Sequence, residues 1–282
     1  MLDGLKEWLL GLMTSAIGGF DTMLKDATDI LTGGMNEWDS VLKISDALLP
    51  FCYTIIGICL LIELAQVASK VDLIKWEHGL KLGIKMVFAK VCIDVAPTFL
   101  KACYGQAQSW IGLISADEFQ LGQQTMGELT TLVNEVSGFG NILGMFVSSF
   151  IVIVAIKICG LMIQVMAYSR MFELYVYLVI SPLPCAFFPL GNGDGSGISR
   201  ITSKFFKNFM AVCLQGVMMI IVISIFDKVI GGAMQGVFDG DTTTDVNVKI
   251  TNLIYTMLLG AIALVMGVAR CGSWAKSILD AM

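Results

Sequence analysis

The stretch Tyr177–Arg200, YLVISPLPCAFFPLGNGDGSGISR, decides how this chain is threaded. Its first half is apolar enough to enter a bilayer, yet it carries Pro182, Pro184 and Pro189. Its second half is rich in glycine and leads into a basic cluster, Arg200, Lys204 and Lys207. Either the chain crosses the membrane here or it dips in and returns. The choice fixes the side on which every later loop lies.

Composition demands a membrane. Of 282 residues, 56% are hydrophobic and 15% charged, and the mean hydropathy is +0.79. A water-soluble domain carries about a quarter charged residues, and no soluble fold of this size hides so much apolar surface. The sequence therefore reads as an all-α polytopic membrane protein. The first turns, MLDGLKEWLLGLM, place Asp3, Lys6 and Glu7 where a leader would have a basic end and an unbroken apolar core, so no cleavable signal peptide is expected.

Four windows have the roughly 20 apolar residues of a transmembrane helix: 47–69, 141–167, 205–226 and 250–269. A fifth, 80–100, is interrupted by Lys81, Lys85, Lys90 and Asp94. Basic residues concentrate in cytoplasmic loops. Residues 70–90 hold five Lys against two acids, and 191–207 hold three basic residues against one acid. The stretches 1–46, 101–140 and 227–249 are instead acidic, and the tail adds Arg270 and Lys276. If 175–190 spanned fully, the basic loop 191–207 would lie outside and the acidic loop 227–249 inside. A re-entrant or proline-broken helix lets both obey the rule. Proline removes a backbone donor, and irregular backbone survives at membrane depth only when packed in protein or lining a wet cavity. The alternative is a proline-kinked full span. The favoured arrangement is five crossings, with the N-terminus outside and the C-terminus in the cytoplasm.

Residues 1–46 form the extracytoplasmic part and 47–282 the transmembrane domain. Before the first crossing, Leu2, Leu5, Leu9, Leu12 and Met13 share one helical face. Phe20, Met23, Leu24, Ala27 and Leu31 share another after Gly18–Gly19. This spacing predicts two amphipathic interfacial helices, lying on the outer membrane surface or against partner subunits. G-x-x-x-G spacings at Gly79–Gly83 and Gly140–Gly144, and Ala263–Gly267, are candidate close-contact faces.

Catalytic chemistry is sparse. His78 is the single histidine, so no histidine pair can hold zinc. GNGDGSG at 191–197 has neither the G-K-[ST] ending of a phosphate loop nor the spacing of a dinucleotide turn, and no serine sits in a G-x-S-x-G elbow. The eight cysteines include no C-x-x-C pair and read as small buried hydrophobes. No catalytic, cofactor or metal residues are expected. What remains are polar groups at membrane depth: Glu63, Lys90, Asp94, Lys157 and Gln164. A charge at a helix centre costs about 2.5–3.5 kcal/mol on insertion scales, so such groups face protein or water. Lys90 and Asp94, four apart, have the spacing of a helix-face pair. Two readings stay open: buried pairs that hold the bundle, or the lining of a pore.

The organisation resembles one family. Five crossings, an acidic outside N-terminus with amphipathic helices, and above all YLVISPLPCAFFPLG at 177–191 before a glycine-rich turn and a basic helix start are similar to the TrbL-like polytopic channel component of type IV secretion and conjugation machines. The resemblance implies a non-enzymatic platform or channel subunit of the cytoplasmic membrane. It also implies a homo-oligomeric ring, contacts with extracytoplasmic pilus- or stalk-like subunits and transfer ATPases, and passage of DNA or protein. Many members carry an extended C-terminal soluble region, whereas this sequence resembles compact versions. A secondary transporter or channel for a small solute, with the broken helix as its site, and a purely structural scaffold are the competing readings.

The loop assignment is testable with single cysteines on a cysteine-free background and an impermeant maleimide on intact cells. Thr243→Cys should label and Ser196→Cys should not. The reverse pattern would replace the re-entrant arrangement with six crossings.

Overall fold

The computed structural model describes residues 2–33, 38–69, 76–114, 130–133, 139–188, 200–238 and 246–280, and these are helical apart from short turns. The principal helices are α1 (Leu2–Thr32), α2 (Trp38–Ser69), α3 (Trp76–Ile114), α4 (Phe139–Ile180), α5 (Pro182–Ala186), α6 (Arg200–Phe238) and α7 (Val246–Asp280). Four segments are long and apolar enough to cross a membrane: Ser40–Ala65, Ser149–Ala186, Arg200–Val237 and Val246–Asp280. The protein is an all-α membrane protein. The charged window 80–100 lies in α3, which is 39 residues long but is not among those four. Pro189, the glycine-rich 191–197 and the polar stretch 116–129 lie outside the described residues.

Two boundaries differ from the sequence reading. The helix expected to end near Ala167 runs on to Ile180, because no glycine or proline occurs between Leu161 and Ile180 to stop it. Tyr175–Ile180 is thus the last part of α4, and the break falls at Ser181. There Pro182 has no N–H for the Leu178 carbonyl. That carbonyl instead accepts from the Ser181 backbone N–H at 3.3 Å and from Ser181 Oγ at 2.8 Å. The second difference is α1, one continuous 31-residue helix where a break at Gly18–Gly19 was expected. Each helical glycine costs about 1 kcal/mol, and burial of Ala16, Ile17 and Phe20 around the pair offsets it. The expected domain boundary at residue 46 falls inside α2, which also carries Pro50 within its length.

Two compact units divide the chain. The first comprises Met1–Thr32, Trp110–Ser169 and Gln215–Trp274. In it α1 buries Met13, Ala16, Ile17, Phe20, Leu24, Ala27 and Leu31. It runs parallel to α4: Trp8 stacks on Phe146, Phe20 and Met23 cover Gly160, and Gln164 donates to Asp26 at 3.1 Å, 138 residues away. Contacts advance in step over 18 residues, about 27 Å of helix. The face from Phe20 to Leu31 is thus largely buried within the first unit.

In the same unit α6 and α7 pack antiparallel along a glycine seam. An ideal Cβ at Gly260 would fall 2.6 Å from Ile230 Cδ1, one at Gly267 3.1 Å from Val222, and one at Gly272 2.9 Å from the Gln215 amide. By contrast, Gly79, Gly83 and Gly144 have open space, and Ala263 is exposed. Of the expected small-residue positions whose surroundings are described, Gly267 makes a close approach.

The second unit comprises Gly33–Ser109, Arg170–Leu214 and Ala275–Met282. Its core joins Cys52 and Ile56 of α2, Ala89, Ile93 and Ala96 of α3, and Cys185 and Ala186 of α5. The eight cysteines are free thiols in helices, five of them buried.

A leucine at position 260 should crowd Ile230 and Phe226. Gly260→Leu is expected to lower stability in detergent by about 1–3 kcal/mol, read as a fall in the thermal unfolding midpoint. Gly83→Leu and Gly144→Leu, which meet nothing among the described residues, should leave the midpoint within a degree or two.

Candidate functional site

The polar groups singled out in the sequence do not converge on one place. In the second unit α2 and α3 fold back on each other, and two polar contacts fix their register. Lys85 Nζ meets Glu63 Oε1 at 2.5 Å, and Tyr53 Oη donates to Asp94 Oδ1 at 2.7 Å. Between them lies the apolar core of Cys52, Ile56, Ala89 and Ile93. The Glu63 side chain is 18% exposed, and its second oxygen, Oε2, is buried without a partner. Charge pairing is what lets a carboxylate stay there.

The expected Lys90–Asp94 pair does not form. Asp94 takes the Tyr53 hydroxyl instead, and Lys90 is exposed with no partner among the described residues. Ion pairs among the described residues include Glu63–Lys85 and Arg170–Glu173. Lys157 lies in the first unit on the exposed side of α4. Gln164 is half-buried and bound to Asp26.

The sequence reading missed Tyr53 and Lys85 as partners. The signal was present in the connection length: consecutive helices joined by a short link become antiparallel neighbours. Antiparallel pairing of α2 and α3 brings 63 beside 85 and 53 beside 94.

The proline break is packed in protein. Ser181, Pro182, Pro184, Cys185 and Ala186 are buried, and the Pro184 carbonyl accepts from Thr202 Oγ1 at 2.7 Å. Beside it, α3, α5 and α6 enclose a groove of about 500 Å³ that includes Cys92, Ala96, Cys185 and Thr202. Phe88 packs against Phe188, and Phe99 against Phe206, along its lining. Among its described lining residues the polar one, Thr202, has its hydroxyl committed to Pro184. Such a wall suits hydrocarbon and offers a charged solute no ligand. The basic cluster Arg200, Lys204 and Lys207 is exposed on the first turns of α6. Helical spacing puts those three on the side opposite Thr202 and Phe206, away from the groove.

Comparison with known proteins now bears on this arrangement. The family model described as TrbL/VirB6 plasmid conjugal transfer like protein matches residues 34–182, more than half of the chain. The chain belongs to that family. No curated protein and no solved structure matches it. The TrbL/VirB6 match covers α2, α3 and α4 and ends at Pro182, so it contains both the polar hairpin and the break. Membership makes this a membrane component of conjugal transfer and type IV secretion systems, a family of structural components.

The hairpin contacts can be ranked by mutation. Glu63→Gln leaves Lys85 without its counter-charge and should cost about 1–3 kcal/mol, seen as lower membrane accumulation. Adding Lys85→Gln should recover much of the loss. Asp94→Asn, which keeps an acceptor for Tyr53, should change accumulation little. Equal losses from Glu63→Gln and Asp94→Asn would refute this ranking.

Proposed function

We propose that the protein is a non-enzymatic platform or channel subunit of a conjugative type IV secretion machine in the cytoplasmic membrane. Family membership supplies the system. The observation that carries the finer role is the polarity of α3. Its Lys90 and Asp94 are exposed, yet Ile84, Val87, Val91, Val95 and Phe99 on the same helix are exposed and apolar. A helix with both kinds of exposed surface is stable at membrane depth only when neighbours or water cover its charged side.

On this reading α3 is a fifth crossing, with the N-terminus outside and the C-terminus in the cytoplasm, as the basic loops favour. Copies of the chain assemble as a ring and turn the Lys90–Asp94 side of α3 toward a hydrated interior through which DNA or protein passes. Extracytoplasmic pilus- or stalk-like subunits and transfer ATPases are the partners. The apolar groove beside the proline break speaks for this role over a small-solute transporter, because a transporter would place polar ligands at its broken helix.

Replacing Lys90 and Asp94 together by leucine should preserve expression and particle mass in nanodiscs while lowering conjugal transfer at least tenfold. Normal transfer from that variant would leave a scaffold role in place of the hydrated path. A strictly monomeric wild-type particle at all concentrations would remove the ring.

A further inference from the structure

Lys157 is the single charged residue between Phe139 and Ser169. Any window of about 20 residues placed in that stretch to span a bilayer contains it. It is exposed, and so are Val154, Ile158 and Leu161 around it. No described residue of the chain pairs with it. Helix α1 comes close: Met23 covers Gly160, and Asp26 takes Gln164, both within two turns of the lysine. Yet α1 brings a glycine, not a carboxylate, to the level of Lys157. The 138-residue offset of the α1–α4 contact sets Gly19 beside it, and an added Cβ at Gly19 or Gly11 would touch nothing among the described residues. Beside the cation, then, runs an open flank of α1 whose small residues admit another helix at close range.

Among the described residues of the first unit, the carboxylates near that depth are already engaged. Asp21 and Asp227 both have partners, and Asp26 is held by Gln164. Asp29 is exposed but lies ten residues further along α1, about 15 Å from the level of Lys157. Copies related by rotation about the membrane normal keep their depths, so the described first unit of a second copy offers Lys157 no free acid at its own level.

From this charge complementarity we propose that the α1–α4 flank docks a transmembrane helix of a different subunit, bearing a carboxylate at the depth of Lys157. The lone cation selects an acidic partner, and the glycine flank lets that helix approach. An ammonium and a carboxylate that are each costly in lipid become compatible with it when paired.

The test uses the full-length protein, donor-labelled in lipid nanodiscs, and acceptor-labelled polyleucine transmembrane peptides with a central Glu, Gln or Leu. The Glu peptide should associate at least tenfold more strongly than the Leu peptide. Lys157→Leu should abolish that preference, while Lys157→Arg, which keeps the charge, should retain it and so shows that a loss is not misfolding. Equal association of Glu and Leu peptides, or a Glu preference that survives Lys157→Leu, overturns the proposal. So does a change in the protein's own particle mass on Lys157→Leu without any peptide preference, which would assign the flank to a second copy. The readout needs no transfer activity, so its failure is distinct from failure of the conjugation role.

Discussion

Backbone at membrane depth must satisfy its own hydrogen bonds, since hydrocarbon offers none. Nearly every feature of this protein follows from that constraint. Long helices solve it automatically, which is why α4 extends 42 residues to Ile180 and stops only where proline removes a donor. At the break the deficit is met locally: Ser181 serves the Leu178 carbonyl, and Thr202 reaches across from α6 to the Pro184 carbonyl. The break is buried because it is complete. Its polar atoms are consumed by the fold, and what it shows to the adjacent groove is apolar.

Once the backbone is settled, side-chain charge becomes the scarce and informative quantity. In the α2–α3 hairpin a long-range pair, Glu63 with Lys85, and a hydroxyl bond, Tyr53 with Asp94, fix the register of the two helices. Both contacts cross between helices, whereas the neighbouring charges on α3 itself stay apart. Cross-helix pairing stabilises the tertiary arrangement directly, and a pair along one helix would have stabilised only that helix. Lys90 and Lys157 are left outside these arrangements, and on a chain of this hydropathy an uncommitted cation points beyond the chain.

The family match places this hairpin and break in the part of the chain shared with TrbL/VirB6 proteins. Helix α1 lies before the match, yet it is well integrated: it lies along α4 and meets α6 through Phe20 and Phe226. An element outside the matched region thus completes the core of the first unit and forms the flank beside Lys157.

Much was legible in the amino acids alone. Hydropathy and length mark four of the helices as membrane-crossing candidates, and the buried positions of α1 at Phe20, Leu24, Ala27 and Leu31 follow its 3.6-residue period. The proline segment announces a helix break and, with its flanks, the family resemblance. These properties are local, set by the chemistry of residues within a few turns of one another. Three things were decided only by tertiary structure. Whether Gly18–Gly19 breaks α1 depends on what its flanking residues bury. Which glycines are contact points depends on what lies opposite, so Gly160, Gly260 and Gly272 carry close approaches while Gly79, Gly83 and Gly144 do not. And the partner of Asp94 is Tyr53, 41 residues away, not the lysine one turn earlier, because a charge at depth takes whichever donor the packed neighbour presents, and sequence spacing does not encode that neighbour.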